Sequence, residues 1–422
     1  MTPLGSAWRY IASRGMGRAL RHRDFRIYMS AHFVSAVAYW MQRIGIGWLT
    51  WQMTHEGYWL GIMSAADALP IVLIAPLAGA IADRVNRLHL FRLLQFGNAA
   101  VDYAMCALVL TGLVTPLSMM GLIILGGICN SLMLPLRLTL GPNLVPREDI
   151  PAAISFHSVS FQCSVFVGPA LAGLVIAHFG VEWVFVVNCA SYVVFIGALF
   201  VMRMAREEHV TGKGTSIFAD TWEGMRYAVR HTGVGPLLLL VTCFAMLTRP
   251  YLDLMPGLAD VVFNRGASGL STLVSSAGIG GVAAGLWMAN YGRITHMTRI
   301  VLTAVLTLSL GLFLFATTSH FALAVVCVMV ISAMSTIAST GSQMLIQGSV
   351  EGGMRGRVMS LYGITWRGAP AIGALIMGGL TSFFGLQAPL AAGAVLCLVA
   401  WLIVQPRRRA MAEGLEGATP RA

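Results

Sequence analysis

Charge is what this sequence has least of: only 11% of its 422 residues are Asp, Glu, Lys or Arg. Soluble chains usually carry about 25% charged residues, because a packed core needs a polar exterior. Lysine is almost missing, since Lys213 is the single Lys among 28 basic residues. The seven cysteines (Cys106, Cys129, Cys163, Cys189, Cys243, Cys327 and Cys397) all fall inside apolar runs, without CxxC spacing or an accompanying His cluster. They read as small hydrophobes, which excludes a disulfide framework and a metal centre. No nucleophile–base pair is visible, so no catalytic residue and no cofactor is expected. Gly212-Lys213-Gly214-Thr215 lacks the upstream glycine of a P-loop, which argues against ATP hydrolysis. Gly278-Ile279-Gly280-Gly281 falls short of GxGxxG and, with Gly285, reads as helix packing through small residues. The first 26 residues have no apolar core followed by a small-residue cleavage site. The first apolar run is therefore expected to be an uncleaved span.

What is present is apolar length. Hydrophobic residues make up 57% of the chain and the mean hydropathy is +0.76. A membrane-crossing helix needs about 20 apolar residues. Read against that length, the chain offers spans near 27–53, 58–82, 90–113, 117–138, 153–178, 181–203, 236–260, 268–290, 298–318, 320–343, 356–382 and 386–404. The expected fold is all-α integral membrane, with twelve transmembrane helices in two pseudo-symmetric six-helix bundles. The segments are 1–26, a cytoplasmic N-terminal stretch; 27–203, the first bundle; 204–235, a cytoplasmic linker; 236–404, the second bundle; and 405–422, a cytoplasmic tail.

The net charge of +11 does not form the solvated stripe that nucleic acid binding requires. The arginines cluster between apolar runs instead. Arg9, Arg14, Arg18, Arg21, Arg23 and Arg26 precede the first span. Further basic residues follow the even-numbered spans, from Arg84, Arg87 and Arg92 to Arg407, Arg408 and Arg409, and Arg265 is the exception. The positive-inside rule then puts both termini in the cytoplasm. In the linker, Phe218, Trp222, Met225 and Val229 recur at helical spacing, which suggests an amphipathic helix on the cytoplasmic face; a solvated linker is the alternative. At an offset of 205 residues, Leu144–Val187 aligns with Ser349–Ala392: Ser155 meets Ser360, Gly168 meets Gly373, Gly173 meets Gly378, and Phe179-Gly180 meets Phe384-Gly385. That shared register points to duplication, one of the known transporter plans.

After the second span the chain reads Gly79-Ala80-Ile81-Ala82-Asp83-Arg84-Val85-Asn86-Arg87. This resembles the signature loop of the major facilitator superfamily, GxLaDrxGrk, with Ile81 for Leu and Asn86 for the second Gly. Asn is the next residue after Gly to tolerate a left-handed turn. Gly168-Pro169-Ala170-Leu171-Ala172-Gly173 resembles the antiporter motif of the same superfamily, gxxxGPxxGG, with Ser164 and Ala172 at two Gly positions. Leu20–Arg26, Met41-Gln42-Arg43, Leu144–Glu148 and Gly224–Tyr227 look like the branch that holds the enterobactin exporter and macrolide-efflux proteins. The resemblance implies gating by Gly79, Asp83, Arg84, Arg87, Gly168, Pro169 and Gly173. Asp83 would sit at the N-terminus of span 11, near Arg355 and Arg357, where the helix dipole favours an anion. The other reading of this loop is a topology determinant only.

Ionisable residues inside spans are costly, roughly 2.5–3.5 kcal/mol each on insertion scales. They are Arg43, Asp67, Asp102, Arg249, Asp253 and Arg367. In the superfamily, spans 1, 2, 7 and 11 can face a central cavity while span 3 is peripheral. The resemblance thus places Arg43, Asp67, Arg249, Asp253 and Arg367 on the substrate and proton pathway and leaves Asp102 structural. Fixed ion pairs between helices are the other reading, and Arg249 and Asp253 are spaced to pair along one face. A carboxyl in a poorly hydrated cavity can take up a proton near neutral pH, and Asp67, three residues before Pro70, is the leading proton carrier.

The expected function is export of a hydrophobic or amphipathic small molecule, drug- or siderophore-like, by proton antiport. The rivals are an uptake or lipid transporter of the same fold and a non-transporting receptor or assembly factor. The expected setting is a bacterial inner membrane. The expected partners are a small-molecule substrate, protons and the lipid bilayer, with no nucleic acid and a monomeric state.

Overall fold

In the computed structural model the described residues are 15–82, 87–140, 144–202, 217–292 and 294–417, and no strand occurs among them. The helices are α1 (Arg23–Thr54), α2 (Gly57–Ala82), α3 (Arg87–Leu110), α4 (Pro116–Leu140), α5 (Ile150–Phe179), α6 (Glu182–Val201), α7 (Ile217–Arg230), α8 (Val234–Leu247), α9 (Tyr251–Gly257), α10 (Gly266–Tyr291), α11 (Met297–Thr317), α12 (Phe321–Ser349), α13 (Gly352–Phe384), α14 (Gln387–Val404) and α15 (Arg408–Glu416). Nine helical stretches among the described residues are long and apolar enough to cross a membrane. Large apolar side chains also face outward: Phe383 is 82% exposed, and Phe179, Leu113, Val193 and Leu402 are exposed as well. Such a surface suits lipid, where backbone groups must be satisfied within helices.

The chain forms two compact units, Met1–Ile46 with Leu73–Lys213, and Gly47–Val72 with Gly214–Ala422. The boundary runs through α1 and α2. The core of the first unit gathers Phe25, Tyr28, Phe91, Met133, Leu136 and Phe195. That of the second gathers Leu240, Phe244, Val305, Leu308, Leu345 and Cys397.

The aligned Phe-Gly pairs end corresponding helices. Gly180 closes α5 at φ 102° and Gly385 closes α13 at φ 73°, a backbone region that favours glycine. The aligned Gly168 and Gly373 make the same kind of close crossing. A Cβ on Gly168 would lie 2.7 Å from the Val37 carbonyl oxygen of α1, and one on Gly373 would overlap the Met246 carbonyl of α8.

The span expected at 236–260 is not one helix. α8 ends at Leu247, a turn covers Thr248–Pro250, α9 follows, and a π-helical turn occupies Leu258–Val262. Pro250 has no N–H to give the Met246 carbonyl and its ring crowds that carbonyl, so the helix breaks there. π turns inside helices are frequent at functional positions.

Two further elements complete the second unit. α7 packs Gly224 and Ala228 inward, against Arg357 and the unit core, and leaves Met225 and Val229 exposed. α15 buries Met411 and Leu415, and its last residue, Glu416, accepts hydrogen bonds from the backbone N–H groups of His296 (2.7 Å) and Thr298 (2.8 Å). These donors belong to the first turn of α11, where no intrahelical acceptor exists. Glu416→Ala is expected to cost about 1–2 kcal/mol, read as a lower unfolding temperature of the detergent-solubilised protein.

Candidate functional site

In the second unit the helix break carries the charged residues. Arg249 lies in the turn between α8 and α9, and Asp253, in the first turn of α9, donates its backbone N–H to the Pro250 carbonyl at 3.0 Å. The Arg249 guanidinium stands 4.4 Å from the centroid of Trp366 on α13. Trp366 stacks on Tyr362 (6.2 Å, 4°) and meets Phe244 edge-on (5.6 Å). The Tyr362 hydroxyl donates to the Ser339 carbonyl at 2.9 Å, which fixes the stack against α12. The helix break thus sets a guanidinium over the face of Trp366, with Tyr362 and Phe244 packed on that ring.

Arg367, beside Trp366, is exposed, whereas Asp67 on α2 and Asp253 are half-buried. Arg43 belongs to the first unit, half-buried on α1, with its guanidinium 5.5 Å from the ring of Trp40. Arg43, Asp67, Arg249 and Asp253 each hold further polar, ionic or ring interactions. Of the gating residues, Asp83 and Arg84 lie outside the described residues, as do the surroundings of the Gly79 and Arg87 positions. Gly168 and Gly173 are buried on α5, on either side of Pro169.

A tight crossing in the second unit joins the start of α2 to α13. A Cβ on Gly61 would overlap the Ala374 carbonyl, one on Gly57 would overlap Thr381, and one on Gly378 would lie 2.6 Å from the Gly57 carbonyl. Gly57/Gly61 and Ala374/Gly378 are thus small-xxx-small pairs that bring two backbones into contact. Close by in sequence, the Trp51 indole N–H donates to Asp260 Oδ2 at 2.9 Å, which ties the end of α1 to the π turn.

The first unit contains a polar network that sequence reasoning left aside as structural. Asp102 on α3 accepts from Gln42 Nε2 (2.6 Å), Tyr192 OH (2.6 Å) and Asn188 Nδ2 (3.2 Å), and Asn188 also donates to Gln42 Oε1. Gln42, Asn188 and Tyr192 are buried. The available signal was the four-residue spacing of Asn188 and Tyr192 on an otherwise apolar α6, which sets both on one face. Asp102→Ala leaves Gln42 Nε2 and Tyr192 OH without their acceptor, while Asn188 keeps Gln42 Oε1. It is expected to destabilise the protein by about 1–3 kcal/mol per orphaned group, whereas Asp102→Asn, which keeps an acceptor oxygen, costs clearly less in the same thermal assay.

The family model described as transmembrane secretion effector matches residues 17–417. The staphyloferrin A transporter of Staphylococcus aureus (strain NCTC 8325 / PS 47) is 25% identical over 369 residues, covering 86% of this chain and 90% of the relative. The enterobactin exporter EntS of Escherichia coli O1:K1 / APEC is 25% identical over 365 residues, 85% of each chain. Among solved structures, the nucleoside transporter NupG superposes with TM-score 0.70 at 13% identity, covering 91% of this chain and 99% of that one. A bacterial homologue of the iron transporter ferroportin, in an inward-facing state, gives TM-score 0.68 at 16% identity, with 92% and 98% covered.

Proposed function

This chain belongs to the transmembrane secretion effector family, a branch of the major facilitator superfamily of membrane transporters, and from that premise we propose that it exports amphipathic, siderophore-like small molecules by proton antiport. Membership makes it a multi-pass secondary transporter rather than an enzyme. The observation that carries the substrate class is the Arg249–Trp366–Tyr362 stack. A rigid cation on aromatic rings suits a ligand with an apolar or aromatic body and an anionic or polar edge. Two relatives whose names specify staphyloferrin A and enterobactin support the same class, and the second of these is named an exporter.

Twelve spans cross the bacterial inner membrane with both termini in the cytoplasm, a reading that the arginine clusters support under the positive-inside rule. The α1–α2 end then lies outside, and the Gly61–Ala374 crossing with the Trp51–Asp260 bond forms an external closure. Alternating access needs this closure to open as the substrate leaves. Asp67 takes up a proton from outside and releases it inward, and the protein works as a monomer on the substrate and protons.

Direction is tested in cells. Expression is expected to lower the steady-state content of enterobactin in cells loaded with it, relative to cells carrying the empty vector. Arg249→Gln is expected to restore that content to the control level. A higher content on expression would assign uptake instead.

A further inference from the structure

A second polar cluster, apart from the Asp102 network, lies wholly inside the first unit. Asp24, Tyr28 and His32 follow one another at four-residue intervals on α1, so they share one face over about 12 Å of helix. Tyr28 and His32 are stacked, with centroids 5.7 Å apart and planes at 2°. His32 is stacked in turn on His157 of α5, at 5.0 Å and 14°. Phe195 of α6 closes the side of the stack, 6.0 Å from Tyr28 and 6.1 Å from His32.

Among the described residues, each member of this row has a buried polar atom with no hydrogen-bond partner: Asp24 Oδ1, Tyr28 OH, His32 Nε2 and His157 Nε2. Four such atoms in sequence are unusual, because buried polar groups in native structures almost always have partners. One orphan would suggest a packing defect. A continuous row of four groups that can all donate or accept protons calls for a shared, mobile partner. The row also has two ends. Tyr28 and His32 are buried, whereas Asp24 and His157 are half-buried.

We propose that Asp24, Tyr28, His32 and His157 form a water-assisted proton file within the first unit, separate from Asp67. The proposal rests on the proton-driven reading above and adds the route. A hydronium ion gives its proton to the Nε2 lone pair of His157, and His157 returns to neutral as that N–H proton passes to water. The same water delivers a proton to the Nε2 lone pair of His32, which gives it up in turn as its N–H bond breaks. The Tyr28 oxygen accepts a proton while its own O–H proton moves on, and the Asp24 carboxylate takes it up and releases it to cytoplasmic water. No atom or charge is left over after one passage. Two imidazoles stacked at 5.0 Å hold one proton between them rather than two, so the pair moves protons singly.

Among the described residues, charged groups flank the file on several sides: before Asp24, His22 Nε2 meets Asp149 Oδ2 at 2.9 Å and Arg18 Nε meets Asp149 Oδ1 at 3.2 Å. From α4, the Arg137 guanidinium acts electrostatically on Tyr28, His32 and His157, and its Nη2 donates to Asn130 Oδ1 at 3.5 Å. From α3, Arg92 is turned toward α6, with its guanidinium 5.5 Å from the Phe200 ring and Nη2 on the Leu199 carbonyl. α3 also carries the buried Gln95 and Asn98, and α6 contributes the Phe195 ring.

Histidine C2–H exchange in deuterated buffer, followed by mass spectrometry on the purified full chain across a pH series, tests the file without any substrate. His178, exposed near the end of α5, serves as the internal standard. His32 is expected to exchange despite its burial, with a sigmoidal pH profile whose midpoint moves in His157→Gln. A His32 that stays unexchanged at every pH while His178 exchanges would overturn the file, as would a midpoint indifferent to His157→Gln. Tyr28→Phe keeps the ring and removes the relay hydroxyl. It is expected to cut substrate-coupled proton flux about a hundredfold while preserving substrate exchange, and undiminished flux would equally overturn the route. Failure of the proton-driven reading shows separately, as absent proton flux in the unmodified protein.

Discussion

Asp67→Asn is expected to abolish uphill transport, cutting gradient-driven flux by about a hundredfold, while one-for-one substrate exchange continues. The factor is the lower end of the roughly 10²–10⁴-fold that a positioned proton-transfer group contributes. Asn matches Asp in size and hydrogen-bonding reach but cannot gain or lose a proton, so the substitution separates coupling from binding. Asp67 is half-buried on α2, three residues before the buried Pro70, in a helix that otherwise reads apolar. Proteoliposomes supply both readouts: net accumulation under an imposed pH gradient, and counterflow of labelled substrate without one. Loss of both activities in a correctly folded variant would make Asp67 a binding residue. Retention of both would remove it from the pathway.

The second large effect is steric. Gly61→Leu is expected to arrest transport by forcing α2 away from α13. Even the first carbon of the new side chain would overlap the Ala374 carbonyl and lie 3.1 Å from Leu375 Cα. These are backbone atoms and cannot rotate away as a side chain could. Overpacking by a few methylenes already costs about 1–3 kcal/mol in a rigid core. Here the cost is relieved by separating the two helices. Gly378→Leu should act alike from the other side, since its Cβ would lie 2.6 Å from the Gly57 carbonyl. Spin labels at Tyr58 and Phe383, both exposed, report the separation once the seven native cysteines are replaced. A longer label distance with lost transport is the expected outcome. An unchanged distance with full transport would mean that this crossing is not a moving closure.

The helices were largely legible in the sequence because a lipid-facing helix is a long apolar run, and such runs have few alternative readings. The reading at 90–113 meets α3 at Arg87–Leu110, and that at 268–290 meets α10 at Gly266–Tyr291. Gly168 and Gly373, which share a register in the sequence, both occupy crossings where only a glycine fits. The break in the seventh span was not legible. Apolar length continues through it, and the information lay in two prolines, Pro250 and Pro256, rather than in hydropathy. The polar clusters of the first unit were hidden for a different reason. Gln42, Tyr28 and Asn188 are uncharged and scattered over four helices with their partners, so only folding shows that they converge. Asp102 was conspicuous as a charge, yet its three donors lie up to 90 residues away.

The most direct measurement uses inverted membrane vesicles that hold a proton gradient reported by a quenched pH dye, to which enterobactin, macrolides and lysolipids are added in turn. The account predicts dequenching with at least one amphipath, and none in Asp67→Asn vesicles containing equal amounts of folded protein. Silence across the panel, or the same dequenching in the variant, would contradict it.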